Sequence, residues 1–486
     1  MARPPVPPGP YLVLGLGAAG QSAAQALAAR FGAAVIRGYD DSSSDRLRPV
    51  RASLASAGIA TPTDPAGLLD GVGCIVKSPG IDPGHPLLSE ARRQAVPVLD
   101  ELELGWRMSA APIVAVTGTN GKSTTSALIV AALEAAGANP ALCGNSHHAP
   151  ALTAVAPEHD GWLVAEVSSY QAEGCPEFLP SAAVFTNLTL DHLQHHGSMT
   201  AYAEAKRRYF VRGDRAVALA VLNADDAFGR RLVAEVCERD GRVITYGAAE
   251  QAEYRIVDCA WSLRGGRVVI DAPSGRLRLV TRLPGAYNAA NVAAALALAD
   301  GLDLPATATL EALATAKAPP GRFEVIDAGQ PFDVVVDFAH SPDSVRQVIA
   351  TLRSITAGRG TRTIVVLGAT TTGTRQSREE IGREARAAAD YLVLSAASSR
   401  RGHPPMVALS WILTGARKTD GAELEVVLSR TAAIARGFEV AQPGDVVAIL
   451  GRGPLAKIAY DQVNRVRHFD DRETARELLH SRADRA

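Results

Sequence analysis

A chain of 486 residues exceeds what one hydrophobic core serves and sets the expectation of about three domains. Its 47% hydrophobic content and net charge of -1 fit a globular protein and argue against nucleic acid or an anionic membrane surface as a partner. Five scattered cysteines (Cys74, Cys143, Cys175, Cys237, Cys259) without a CxxC spacing argue against a zinc ribbon or a disulfide framework, so reduced thiols and a cytoplasmic setting are expected.

The start, "MARPPVPPGP", reads as a proline-rich, disordered lead-in. No apolar run in the sequence has the length of a membrane span. The strand "YLVL" then runs into "GLGAAG" (residues 15–20) and an alanine-rich helix, and Asp40 ends the following strand. Such a turn lets backbone amides and a helix N-terminus approach a diphosphate. By itself the pattern admits a nicotinamide dinucleotide and an oxidoreductase, another nucleoside diphosphate, or a turn used only for packing. This block closes around "AVPVLDELELGWRMSAAP", giving an expected first domain over residues 1–111.

The second block opens on "IVAVTGTNGKSTTSALIVAALEAAG", a strand, a glycine loop and a helix. Backbone amides of Gly118, Thr119, Asn120 and Gly121 can cradle phosphate, Lys122 can reach the outer phosphates, and Ser123, followed by Thr124, can bind Mg²⁺. The general Walker spacing requires a further glycine where this chain has Val116. A helix cap would explain Ser123 but leaves Lys122 unexplained. Glu166 ends the apolar strand "WLVAEV", which suits a Mg²⁺ ligand near that loop. The block continues through "LPGAYNAANVAAALALADG", and residues 112–317 are expected to form the central domain. The third block follows "KAPPGRFEVI" and carries the strands "DVVVDFA", "TIVVLG", "YLVLS" and "DVVAILG" over residues 318–486. Short apolar strands alternating with alanine-rich helices predict an α/β protein with parallel sheets: Rossmann-like N-terminal and C-terminal domains flanking a P-loop ATPase-like centre.

"TGTNGKST" resembles the shortened phosphate loop of the Mur ligases, the ATP-dependent amide-forming enzymes of peptidoglycan precursor synthesis, a loop shared with folylpolyglutamate synthetase. In that family the loop is shorter, so Val116 is no defect. The resemblance continues in order through "VKSPGIDPGHPLL", "VAEVSSYQAE", "FTNLTLDHLQHHGSMTAYAEAK", "LNADD" and "LPGAYNAANVAAALALA". It implies ATP and Mg²⁺, with Ser123 and Glu166 as metal ligands, His192 as the ligand of a second metal, and Lys122 on the phosphates. It also implies that Lys206 is carbamylated and supports a Mg²⁺. Asn288 and Asn291 would lie on the adenine side, Arg322 near the phosphates, and Asp337 near the ribose. UDP replaces NAD at the first loop, with Leu16, Gly17, Asp40, Ser78, Pro79 and Gly80 around the nucleotide, and Asn145 and Ser168 near the muramoyl group. One departure stands out: "GN-x-G" in the family is "GNSHH" here, placing His147 and His148 beside the expected acceptor.

The first block looks most like the D-glutamate-adding member of the family, whereas "VVVDFAHSPDSV" and "RHFDDRETARELL" look like the diamino-acid-adding member. That member's "G-K-G-H-E" is "GRGPL" here, so Leu455 stands where a glutamate would hold a second ammonium. Its "D-N-P-R" is "ASSR", keeping Arg400, and Arg378 remains after "TTTGT". An unpaired buried ammonium costs several kcal/mol, and guanidinium groups pair well with carboxylates. The reading is therefore an acidic amino acid bound by His340, Ser341, Arg378 and Arg400. The expected reaction joins glutamate to UDP-N-acetylmuramoyl-L-alanine through an acyl phosphate, in a monomer. The alternative is addition of the third peptide residue to the UDP-linked dipeptide.

Overall fold

The computed structural model describes residues 3–42, 44, 47–146, 148–370, 373–398, 405–459 and 466–483. Three sheets organise the chain. The first has four parallel strands in the order Ile36–Tyr39, Tyr11–Leu14, Cys74–Lys77 and Val98–Asp100. "YLVL" is apolar without interruption because both of its faces are covered, and all four of its residues are buried. The helix Ala18–Phe31 follows it directly.

The central sheet has nine strands. Ile113–Thr117 is flanked in parallel by Leu163–Glu166 and Ala182–Phe185, so the phosphate loop, Glu166 and the chain beyond Phe185 leave the sheet at one end. This is the end at which open parallel sheets place their ligands. At the opposite edge the sheet departs from the all-parallel expectation, because Tyr254–Ser262, Gly265–Ala272 and Gly275–Thr281 form an antiparallel meander. The two outer strands of this meander carry exposed residues along their length, whereas Val268, Val269 and Ile270 of the middle one are buried in succession. The helix Ala286–Gly301 lies against Lys122–Ala135, the helix that opens at the phosphate loop. Its alanines are buried nearly all round, which permits the close approach and leaves Asn288 and Asn291 buried at its first turns.

The third sheet has six strands, ordered Glu324–Ile326, Asp333–Asp337, Val446–Leu450, Thr363–Thr370, Tyr391–Ser398 and Glu423–Val426. Only the first pairing in that order is antiparallel. The sequence-derived α/β architecture of two Rossmann-like domains around a nucleotide-binding centre is the observed one. Among the described residues no helix is long and apolar enough to cross a membrane.

Candidate active site

The phosphate loop is held in a shape that requires its glycines. Gly118 has φ 151°, and a Cβ there would lie 1.8 Å from Thr186 Oγ1; Gly121 has φ 85°, and a Cβ would lie 2.6 Å from Asn291 Oδ1. Side chains brace the loop from outside: the Asn120 amide donates to Asn187 Oδ1 (2.9 Å), and Thr186 Oγ1 donates to the Asn120 carbonyl (2.6 Å). Lys122 is folded over it, donating from Nζ to the carbonyls of Gly118 (3.1 Å) and Thr119 (2.9 Å).

At the head of the following helix, Ser123 Oγ donates to Glu166 Oε2 at 2.8 Å. A hydroxyl beside a carboxylate at a phosphate loop is a hard oxygen pair of the kind Mg²⁺ selects. His192 adopts the left-handed conformation (φ 55°), and its Nδ1 lies 3.3 Å from the Tyr170 hydroxyl and 3.6 Å from Asp191 Oδ1. Burial pushes its pKa down to about 4, with Lys206 and Lys122 adding to the effect against Asp191, so the imidazole is neutral with a free lone pair at neutral pH. Ser123 and Glu166 therefore fit a divalent cation, and the neutral His192 imidazole has the chemistry of a further ligand.

Lys206 is 1% exposed and donates to the carbonyl of Gly118 at 2.7 Å. Burial, and then the charge of Lys122, depress its pKa far below the ordinary lysine value. As an ammonium it cannot bind a cation; as a neutral amine it has the lone pair that carbamate formation requires.

A cleft joins the central and third sheets. It is lined by Asn120, Gly121, Thr124, Asn288, Asn291, Arg322, Asp337 and His340 among others, which brings together the residues expected to hold ATP. Asn291 donates to Asn288 Oδ1 (2.8 Å) and accepts from Thr125 Oγ1 (3.1 Å). Arg322 packs on Phe338 at 4.6 Å and donates to Ser123 Oγ at 3.3 Å, so a side chain from the start of the third block touches the expected metal ligand. Asp337 accepts from the amides of Phe323 and Ala339 at 2.7 Å each, and burial raises its pKa.

His340 and Ser341, read from the sequence as contacts of the amino acid, sit against the phosphate loop. His340 lines the cleft, and Ser341 caps the helix Pro342–Ala357 with its hydroxyl 3.4 Å from Asn120 Oδ1. Arg378 is buried and donates to the His340 carbonyl at 3.2 Å. Arg400 and His147 lie outside the described residues.

A second cluster forms in the first domain. The amide of Leu16 donates to Asp40 Oδ2 (2.8 Å), and Ser78 Oγ donates to the carbonyl of Gly15 (2.8 Å). Gly17 caps the helix Ala18–Phe31, leaving its N-terminus available to an anion, and no atom lies within 4 Å of a Cβ built on it. Pro79 and Gly80 follow Ser78 in the adjoining loop. Asn145 donates its amide to the Glu166 carbonyl at 2.7 Å, which places its loop next to the strand that ends at Glu166. Ser168 is engaged in a capping box with Gln171. His148 contacts the carbonyl of Pro320 at 3.2 Å, bridging that loop to the segment carrying Arg322.

Sequence reasoning missed Asp191 and Asp343. Asp191 has its pKa held down by His192, His340 and Arg378 despite burial, and Asp343 accepts from Asn120 Nδ2 at 3.0 Å. Both lie inside quoted motifs, "TLDH" and "HSPDS", beside residues that were singled out.

Residues 116–299 match the Mur ligase middle domain, and residues 321–453 match the Mur ligase, glutamate ligase domain. The UDP-N-acetylmuramoyl-L-alanyl-D-glutamate–2,6-diaminopimelate ligase of Solibacter usitatus is 36% identical over 390 residues, covering 76% of this chain and 77% of its own. The ligase of the same name from Thermosynechococcus vestitus is 34% identical over 398 residues, covering 76% and 77%. Among solved structures, the UDP-N-acetylmuramate-alanine ligase of Thermotoga maritima superimposes with a TM-score of 0.63 at 20% identity, over 98% of this chain and 99% of that one. That identity speaks for the fold alone.

These relatives overturn two expectations: likeness chiefly to the D-glutamate-adding member, and glutamate joined to UDP-N-acetylmuramoyl-L-alanine. They are named for the next step, in which the acceptor already carries D-glutamate. The first glycine turn misled because its geometry suits any UDP-linked substrate and is blind to the peptide. The diacid reading leaned on Leu455 and two arginines, of which Arg378 proves to be hydrogen-bonded beside the phosphate loop.

Proposed function

This chain belongs to the Mur ligase family, and from that premise we propose that it extends a UDP-linked muramoyl dipeptide by its third residue at the expense of ATP. The observation that carries the proposal is the similarity, over about three quarters of the chain, to ligases named for that step.

The chemistry follows from the site. A carboxylate in water lacks a leaving group, so its oxygen attacks the terminal phosphorus of ATP, ADP departs, and an acyl phosphate results. The incoming amine then attacks the acyl carbon, loses a proton, and expels phosphate. Positioning and neutralisation of charge do most of the catalytic work. Backbone amides of residues 118–121 and the start of the helix Lys122–Ala135 receive the phosphates, with Lys122 swinging from the loop carbonyls onto them. Arg322 approaches from the third block, already in contact with Ser123. Ser123, Glu166 and His192 would hold Mg²⁺, which supplies charge neutralisation at the phosphate oxygens. Leu16, Asp40 and Ser78 shape the uridine end, and the loop at Asn145 lies toward the acceptor peptide.

The relatives' names make 2,6-diaminopimelate the first amine to test. Leu455 favours a second reading, an amino acid without a distal ammonium, because an apolar side chain leaves that charge unpaired. The test is a matrix of UDP-muramoyl acceptors against candidate amines, scored by product mass. Product with the dipeptide acceptor supports the proposal. Product only with the alanyl acceptor, or with none, refutes it, and the amine that gives product decides between the two readings.

A further inference from the structure

We propose that Glu173, His195 and His196 form a transition-metal site, separate from the phosphate-loop ligands, that takes a borderline divalent ion of the Zn²⁺ class. Among the described residues this is the one cluster of three such side chains whose ligand atoms converge, all lying within 4.8 Å of one another. His195 Nε2 is 2.8 Å from Glu173 Oε1, and His196 Nδ1 is 3.5 Å from the same oxygen. The first is a hydrogen bond; the second is too long to be a good one.

The other His196 nitrogen is also engaged: Nε2 lies 2.8 Å from Ser169 Oγ, and in the tautomer that donates from Nε2 to that oxygen the Nδ1 lone pair faces a carboxylate oxygen. Two acceptors facing each other repel, and a cation between them removes the repulsion. A hydrogen bond on the far ring nitrogen is also how proteins orient metal-binding imidazoles. The rings are fixed in place: His196 stacks on Tyr202 at 5.2 Å, and His195 packs on Tyr170 at 4.2 Å. The His196 side chain is 3% exposed, whereas His195 and Glu173 at 17% and 31% leave a path for an ion to enter.

Two imidazoles and one carboxylate, with a position open to solvent, suit Zn²⁺ or Co²⁺ better than Mg²⁺, which prefers a mainly oxygen donor set. An ion here joins two single-turn helices, Ser169–Ala172 and Leu193–His196, too short to be stable alone. His192 is the N-cap of the second, so the ion steadies the turn that presents the candidate catalytic imidazole.

The full-length protein, stripped with a chelator and returned to millimolar Mg²⁺ so that the phosphate-loop ligands are engaged, is titrated with Zn²⁺ against a chromophoric chelator. A parallel titration with Co²⁺ reads the visible bands of the bound ion. One equivalent of Zn²⁺ is expected, weakened at least about tenfold by His195→Ala and by Glu173→Gln and unaffected by His148→Ala. Circular dichroism checks that each variant is folded; if His195→Ala is not, Glu173→Gln decides. No binding in the presence of Mg²⁺, or parental affinity in the folded variants, overturns the assignment.

Discussion

Lys122 and Lys206 donate to one oxygen, the carbonyl of Gly118, at 3.1 and 2.7 Å. Burial is the main cause of the depressed pKa of both lysines; the charge of Lys122 lowers that of Lys206 further, and the charge of Arg322 that of Lys122. Conversion of the Lys206 amine to an anionic carbamate turns the repulsion from Lys122 into attraction and adds an anionic oxygen donor near Glu166 and His192. Lys206→Ala is expected to lower kcat by roughly two to three orders of magnitude, with partial recovery on adding short carboxylates. Parental activity in the unsupplemented variant would refute the carbamate.

Arg322 reaches Ser123 across the boundary between the central and third sheets. Its value lies in charge delivered when phosphate transfers, so Arg322→Ala should lower kcat about a hundredfold with a smaller change in KM for ATP. Arg322→Lys should recover only part of the loss, because an ammonium cannot reproduce the planar stacking on Phe338. Steady-state kinetics of the two variants checks this.

The part of this site that could be read from the sequence is the part carried by contiguous motifs. Ile113 to Ala135 reads as a strand, a loop and a helix in one contiguous run, and Glu166 ends the buried strand Leu163–Glu166. Contacts between residues far apart in the chain are not legible. Asn120 to Asp343 and Arg378 to His340 join residues 223 and 38 positions apart, and no local pattern announces them. The meander at residues 254–281 escaped notice because its outer strands carry exposed residues along their length, a weaker signal than an apolar run.

Glu166 is the carboxylate closest to Ser123, and a neutral amide in its place keeps the hydrogen bond while removing the charge. Glu166→Gln should therefore leave the melting temperature near the parental value and raise the Mg²⁺ concentration for half-maximal rate about tenfold or more. A Mg²⁺ titration of initial rates, beside a thermal melt, separates lost metal affinity from lost structure.

Glu101 is buried at the junction of the first and central sheets, where it accepts the amide of Thr153 at 2.6 Å. Burial raises its pKa from 4.5 to about 7. The folded state then holds a proton that the unfolded chain releases. Stability from this group is full below about pH 4.5 and is lost as pH rises through about 7, an amount of about 3 kcal/mol. Glu101→Gln retains an acceptor for Thr153 and cannot ionise. Urea unfolding at pH 5 and pH 8 should show a smaller loss of stability across that interval in the variant than in the parent.

Phosphorylation of a muramoyl-dipeptide carboxylate is the central step, and isotope transfer tests it most directly. UDP-N-acetylmuramoyl-L-alanyl-D-glutamate labelled with ¹⁸O in its free carboxylates is incubated with ATP, Mg²⁺ and the amine that gives product, and the released phosphate is analysed by mass. One labelled oxygen in each phosphate formed is the predicted result; unlabelled phosphate released alongside amide product would contradict it.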